Sequence, residues 1–322
     1  MLDFKDKKLL FELDLDCRQS FKQLGRKLRL SKETVFYRVK RLEETGIIQS
    51  YSTMVDIGKL GFMSFRILLK LQDTTSKKEQ EIINYLENQK LVGWFVTIEG
   101  NWDLNLWILC KNLVELNKFW ADFNSLFINY IERHELAVFT NLTYFSKSYL
   151  VDKKNEHQFK FVSLPQNLQV HELDLAILEI MASNARVPLV EIAEKLGVSH
   201  KTIASRIKNM EKNKIIIGYK PLLDLEKLGY LYYKAHFRLH SVTSEKEKEF
   251  RNYIFQHPNI VYDDSLIGGA NIEIDIQVDN VQTLRNIIKE IKNKFSSIIK
   301  DYEIMQYLKE YKYLLVPPNF NK

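Results

Sequence analysis

Apolar residues recur three and four apart at the start of the chain. Leu9, Leu10 and Leu13 are followed by Leu24 and Leu28 and then by Val35, Val39 and Leu42, a spacing that predicts three short helices in the first 50 residues. Asp6 is placed ahead of the first helix, Ser20 and Ser31 as the caps of the second and third, and Gly46 as the stop of the third. After Ile47 and Ile48 the period shortens to that of strands. Segments 65–71, 92–99, 103–109 and 131–145 read as strands. Segments 76–88, opened by the box Ser76-x-x-Glu79, and 112–127 read as helices. The order β-α-β-β-α-β is that of a ferredoxin-like sandwich.

The pattern then occurs a second time. Sliding the chain by 168 positions brings Arg18 onto Arg186, Ser31 onto Ser199, Thr34 onto Thr202, Arg38 onto Arg206, Tyr51 onto Tyr219 and Gly100 onto Gly268 without a gap. The second copy predicts a helix start near Pro188, a corner at Gly197, a cap at Ser199 and a buried stripe of Ile203, Ile207 and Met210. Strands follow at 232–239, 260–266, 272–278 and 299–308, with helices at 244–256 (box Ser244-x-x-Glu247) and 281–295. The expected class is α+β, two winged-type helix-turn-helix domains alternating with two ferredoxin-like sandwiches. The expected boundaries are 1–50, 51–150, a polar linker 151–167, 168–218 and 219–322. Each sheet has helices on one face only, so its other face needs a partner.

Charge separates the two kinds of domain. The chain holds 47 basic and 41 acidic residues, a weak excess. From Arg18 to Arg41, however, nine basic residues face one acid, and from Arg186 to Lys214 seven face three. A recognition helix enters the major groove by its N-terminal end. Ser31, Lys32, Thr34 and Tyr37 are therefore the candidates for base edges or nearby phosphates, and Arg38, Lys40 and Arg41 for the backbone. The second set is Ser199, His200, Lys201, Thr202, Ser205, Arg206 and Lys208. The partner these imply is double-stranded DNA. Cys17 and Cys110 stand alone, without metal or disulfide spacing, and no stretch reaches the length of a membrane span, so the expected location is cytoplasmic, with no membrane partner.

The segments Leu30-Ser31-Lys32-Glu33-Thr34-Val35-Phe36-Tyr37-Arg38-Val39-Lys40-Arg41-Leu42-Glu43-Glu44-Thr45-Gly46-Ile47-Ile48 and Val198-Ser199-His200-Lys201-Thr202-Ile203-Ala204-Ser205-Arg206-Ile207-Lys208-Asn209-Met210-Glu211 resemble the recognition helix of the leucine-responsive (Lrp/AsnC, feast/famine) regulators, and the likeness runs through both halves. Arg29 stands where that family has Gly at the corner, and Lys214 where the first copy has Gly46. The resemblance implies sheets paired face to face, here as an intrachain pseudo-dimer, and leaves open whether two chains pair further. It also implies an amino-acid effector at a Gly-x-x-Asp turn, met here by Gly100, Asn101 and Asp103. In the second copy Gly268 and Asn271 keep the turn but lose the carboxylate. The exposed helix residues differ between copies, Phe36 and Tyr37 against Ala204 and Ser205, so the two half-sites are expected to read different sequences.

No phosphate-binding glycine loop or nucleophile elbow occurs, and no catalytic residue, metal or cofactor is assigned. His236 and His240 are four apart on a strand without a third ligand. Trp94, Trp102, Trp107 and Trp120 cluster in the first sandwich, where most such rings are core. Two rivals remain. One is an interaction module without DNA binding. The other is an enzyme resembling the sirohaem decarboxylases, which would need basic and histidine groups inside the sandwiches, and the region of Asn101 to Asp103 offers none.

Overall fold

The computed structural model describes residues 2–313 apart from 163, 167 and 169. The first head is α1 (Phe4–Leu15), α2 (Phe21–Leu28) and α3 (Lys32–Glu44), followed by β1 (Ile48–Val55). The first sandwich is β2 (Met63–Leu71), α4 (Ser76–Asn88), β3 (Val92–Glu99), β4 (Leu104–Cys110), α5 (Leu113–Phe127) and β5 (Ile131–Phe145). Strand β6 (Gln158–Val162) leads to the second head of α6 (Glu172–Ser183), α7 (Leu189–Leu196), α8 (His200–Lys212) and β7 (Ile216–Leu223). A turn of helix, α9 (Leu225–Leu228), precedes the second sandwich: β8 (Leu231–Leu239), α10 (Ser244–Gln256), β9 (Ile260–Ile267), β10 (Ile272–Val278), α11 (Val281–Phe295) and β11 (Ile299–Tyr313). Among the described residues no helix is long and apolar enough to cross a membrane.

Alternation within the strands decides the packing. Phe65, Ile67 and Leu69 of β2 turn outward to Ile82, Leu86, Phe119 and Phe123 on α4 and α5. Ile272, Ile274 and Ile276 do the same for α10 and α11 in the second copy. The bare faces meet each other. The 15-residue strands β5 and β11 make this possible, because each pairs first within its own sandwich, with β2 or β8, and then crosses to β9 or β3 of the other. The order β2-β4-β3-β11-β8-β10-β9-β5 returns to β2, so eight antiparallel strands close on themselves and no long edge is left open. The interior of that barrel is where polar alternate positions end up.

The heads are joined by a separate ribbon of β1 and β7 in which Ser52 lies opposite Lys220. Those two positions are equivalent in the repeat, so the pseudo-twofold axis passes between them. The clasp around the axis is reciprocal. Arg18 Nη1 donates to the Ala185 carbonyl and Arg186 Nη1 to the Cys17 carbonyl, each at 2.6 Å. Each guanidinium also lies 5.2 Å from a tyrosine ring of the ribbon, Tyr219 for Arg18 and Tyr51 for Arg186. These two arginines, counted above in the basic blocks, hold the heads together.

Several local expectations are corrected. Asp3, not Asp6, caps α1, and Asp6 is the buried third residue of that capping box. The caps of α4 and α10 are Thr75 and Thr243, one residue before the expected serines. The segment expected as a linker is not free chain, although residues 163 and 167 of it lie outside the described residues. Within it, β6 pairs with β5, and Asn155 is buried, donating to the His257 and Ile260 carbonyls. Arg29 and Lys214 adopt the left-handed conformation that glycine takes at Gly197 and Gly46 (φ 55° and 57° against 66° and 70°). Removing a left-handed side chain relieves about 1–2 kcal/mol of strain, partly offset by a floppier unfolded chain. Arg29→Gly is therefore expected to stabilise by about 0.5–1 kcal/mol, read as a higher urea midpoint at unchanged slope.

Candidate nucleic-acid interface and the barrel interior

In each head the third helix is pinned by an apolar stripe. Val35, Val39 and Leu42 in α3, and Ile203, Ile207 and Met210 in α8, are almost wholly buried. Gly25 lets the corner before α3 close, since a Cβ there would stand 2.7 Å from the Leu30 carbonyl oxygen. Ser31 and Ser199 start the helices by accepting from the backbone N–H groups of Thr34 (3.0 Å) and Thr202 (3.1 Å). Their hydroxyls also bond those of Thr34 and Thr202, so all four are committed to the helix start. What faces solvent is Lys32, Tyr37, Lys40 and Arg41 in one head, and His200, Lys201, Ser205 and Lys208 in the other.

Arg38 is set apart from this group. Its guanidinium pairs with Asp3 (2.8 Å) and Asp6 (2.7 Å), which fastens α3 to α1 and raises its pKa. Arg206 reaches Asp174 at 3.4 Å in the same way. Arg41 shares Asp6 at 2.6 Å but stays half exposed. Phe21 of α2 and Phe36 and Tyr37 of α3 form a run of ring contacts at 5.7 and 5.5 Å, with Tyr37 68% exposed. The second head has Leu189, Ala204 and Ser205 in those places.

The glycine turns are closed by their own side chains. Asp103 accepts from the Leu71 backbone N–H at 2.7 Å and from Lys70 Nζ at 2.9 Å. Asn271 accepts from the Leu239 N–H at the same 2.7 Å. Gly100 has φ 144° and packs beside Met305, and Gly268 has φ 91° against the Leu136 carbonyl oxygen, so each turn touches the other copy. Asn101 offers its carbonyl to Arg133, whose guanidinium lies over Trp102. Asp103→Asn should thus be nearly neutral in thermal unfolding, because Asn271 already does that work, whereas Asp103→Ala should cost about 1 kcal/mol.

The barrel interior is charged. Arg66 pairs with Glu273 and Glu135, and His236 Nε2 lies 3.1 Å from Glu273. Burial alone would raise the Glu273 pKa, but His236 and Arg66 outweigh it and hold the carboxyl far below its ordinary range. His236 itself is lowered by burial against the pull of Glu273. Lys234 pairs with Asp264 and, at 2.8 Å, with Asp275. Basic and histidine groups do lie inside the sandwiches, then, on the strands of the barrel and away from the turn of Asn101 to Asp103. The signal was present in the sequence as Glu273, Asp275 and Gln277 alternating with isoleucines.

Two paired helical heads, each presenting the polar side of its third helix, define a tandem helix-turn-helix protein. Comparison with known proteins narrows this. A model of winged helix-turn-helix DNA-binding domains matches residues 2–49, and a model of the AsnC-type helix-turn-helix domain matches residues 172–211. The HTH-type transcriptional regulator Ptr1 of Methanocaldococcus jannaschii is 36% identical over 122 residues, 38% of this chain and 81% of that protein. The proline dehydrogenase transcriptional activator of Rhodobacter capsulatus is 27% identical over 118 residues, 36% of this chain and 77% of that protein. The chain belongs to the Lrp/AsnC family of helix-turn-helix transcriptional regulators. Over its whole length the fold is similar to that of the siroheme decarboxylase NirDL, with a TM-score of 0.64, 98% of this chain and 94% of that one covered, and 12% identity. That likeness is one of fold alone.

Proposed function

We propose that this chain is a cytoplasmic regulator that grips double-stranded DNA with both heads at once, as an intrachain pseudo-dimer. Lys32, Tyr37, Lys40 and Arg41 contact one half-site and His200, Lys201, Ser205 and Lys208 the other. The observation that carries this reading is the reciprocal clasp of Arg18 and Arg186, which fixes two exposed cationic helices about one axis. Ser31, Thr34, Ser199 and Thr202 contribute by forming the helix ends that meet phosphate. Arg38 and Arg206 position their helices and do not reach for the duplex. Because Tyr37 and its neighbour Phe36 have no counterpart in the second head, the operator is not a perfect inverted repeat. Selection of bound genomic fragments tests this. Recovery of an asymmetric site with a steep salt dependence is expected, and a palindrome, or no complex in dilute buffer, would overturn it.

The same geometry favours a regulator over a tetrapyrrole decarboxylase. Arg66, Lys234 and His236 each already face a carboxylate, which leaves Lys147 and Lys220 as too few cations to neutralise the many acid groups of such a macrocycle. A visible absorbance band after incubation with sirohaem would reverse this preference. Response to an amino acid remains part of the proposal, but Asp103 and Asn271 are engaged in closing their turns.

A further inference from the structure

At the offset of 168, α11 falls on α5 and β11 on β5 from end to end, yet one face of that helix differs between the copies. In the first copy Trp120 lies over His134 of β5, ring centres 4.7 Å apart, and also stacks on Phe123. In the second copy those positions are Ile288 and Tyr302. The smaller side chain leaves a groove of about 270 Å³ between α11 and β11, lined by Leu284, Ile288, Ile304 and Tyr302. An opening of that size holds several waters, or one bulky apolar side chain in their place. Charge diverges at the same spot. Arg285, Lys289 and Lys292 border the groove at spacings of four and three, where the first copy has Asn117, Ala121 and Asn124. All three cations are exposed, and none forms an ion pair among the described residues. Lys292 Nζ lies 5.0 Å from the centre of the Tyr302 ring, which joins the charged rim to the aromatic wall. No acidic side chain among the described residues lines the groove. Like charges three and four apart destabilise a helix, so the cluster costs stability until an anion meets it.

We propose that the groove between α11 and β11 is a docking site for an acidic segment of another protein, in which one bulky apolar side chain enters over Ile288 and flanking carboxylates meet Arg285, Lys289 and Lys292. Charge complementarity selects an anionic partner, and the apolar floor selects among anions. A nucleic-acid phosphate engages the cations but leaves Leu284, Ile288 and Ile304 uncovered, and so does a small inorganic anion. Arg285 can hold a carboxylate through two parallel hydrogen bonds, while Lys289 and Lys292 act as point charges along the same face. The mode is that of an amphipathic peptide laid in a groove, with the apolar anchor supplying affinity and the charges supplying specificity. The site lies on the helical layer of the second sandwich, outside both heads, and so goes beyond the DNA contacts proposed above and leaves the recognition helices free. Fusion again permits the asymmetry, because one copy keeps its tryptophan while the other opens the groove.

The test uses the full chain and a short fluorescein-labelled peptide of Asp and Glu residues around one central Phe, in about 0.15 M salt so that loose electrostatic binding is screened. A saturable rise in polarisation is expected. Affinity should fall by about tenfold or more when Ser replaces the peptide's Phe, and by as much in the triple variant Arg285→Asn, Lys289→Ala and Lys292→Asn, which restores the residues of the first copy. Ile288→Trp, which fills the groove as Trp120 does, should have the same effect. If Ile288→Trp does not fold, the triple variant, altered only at exposed positions, and the Ser peptide decide. Excess duplex DNA of random sequence is expected to leave the peptide bound. No rise in polarisation at sub-millimolar chain would overturn the proposal. Equal binding of the Phe and Ser peptides would do so too, by reducing the face to a solvated basic one, as would unchanged binding in the triple variant. Full displacement of the peptide by the duplex would reassign the cations to phosphate.

Discussion

Replacing Glu273 by Gln lowers the unfolding free energy by about 2–3 kcal/mol, because it leaves the buried Arg66 guanidinium with the partly exposed Glu135 as its remaining carboxylate and a neutral amide in place of the buried one. Arg66 is 1% exposed and Glu273 wholly buried, so water cannot replace the lost partner. Glu273 also accepts from the Ala270 backbone N–H at 2.9 Å, which ties the second glycine turn to the same ion pair. The double variant Arg66→Met with Glu273→Leu should recover most of the loss, since removing both charges avoids leaving either one buried alone. Acid titration gives a second check. The folded pKa of Glu273 is depressed, so its contribution is full above the unfolded carboxyl value of about 4.3 and is lost as pH falls below that value toward the folded one. The Gln variant should therefore show a shallower fall in stability below about pH 4.3. Denaturant midpoints across that range measure both effects, and equal slopes in the two proteins would refute the assignment.

This ion pair marks the border of what the sequence made legible. The helices and strands followed from periodicity, and β5, α5, β10 and α11 begin and end within a residue of expectation. Alternation also told which face of β10 meets its helices. The opposite face, with Glu273, Asp275 and Gln277, needs a partner by the same pattern, but alternation could not tell which charge would meet Glu273 there, because Arg66 comes from the sheet of the other copy. Caps failed by one residue for a local reason: in Thr75-Ser76 and Thr243-Ser244 both neighbours are competent, and only the backbone angles choose.

The repeat also encodes the clasp between the heads. Arg18 falls on Arg186 and Tyr51 on Tyr219, and charge counting alone makes the arginines look like phosphate contacts. Their shared register with tyrosines in the ribbon is the signature of a symmetric contact, in which each residue meets the partner copy's equivalent surface. Departures from the repeat are equally telling. Asp275 falls on Trp107, Asp264 on Val96 and Lys220 on Ser52, so the barrel lining has become one-sided while the clasp has stayed two-sided. A fused chain permits that divergence, since each copy always meets the other and never itself.

Reversing charge in a single head should therefore show how much the pairing contributes. Lys32→Glu with Lys40→Glu alters only exposed positions, leaves the stripe of Val35, Val39 and Leu42 intact and removes the ion pair of Lys40 with Glu44, a surface contact of little weight. The first head should then cease to hold phosphate while the second still does. Two heads held on one rigid ribbon act at high effective concentration, so losing one is expected to reduce affinity by about 10²–10⁴-fold, to that of a lone head. The salt slope should fall by more than the two removed cations account for, because the second half-site is released entirely. Polarisation titrations against a two-half-site duplex and against each half-site alone distinguish the outcomes. If the variant bound the two-half-site duplex as tightly as the unaltered chain, the first head would not be a DNA-binding element at all.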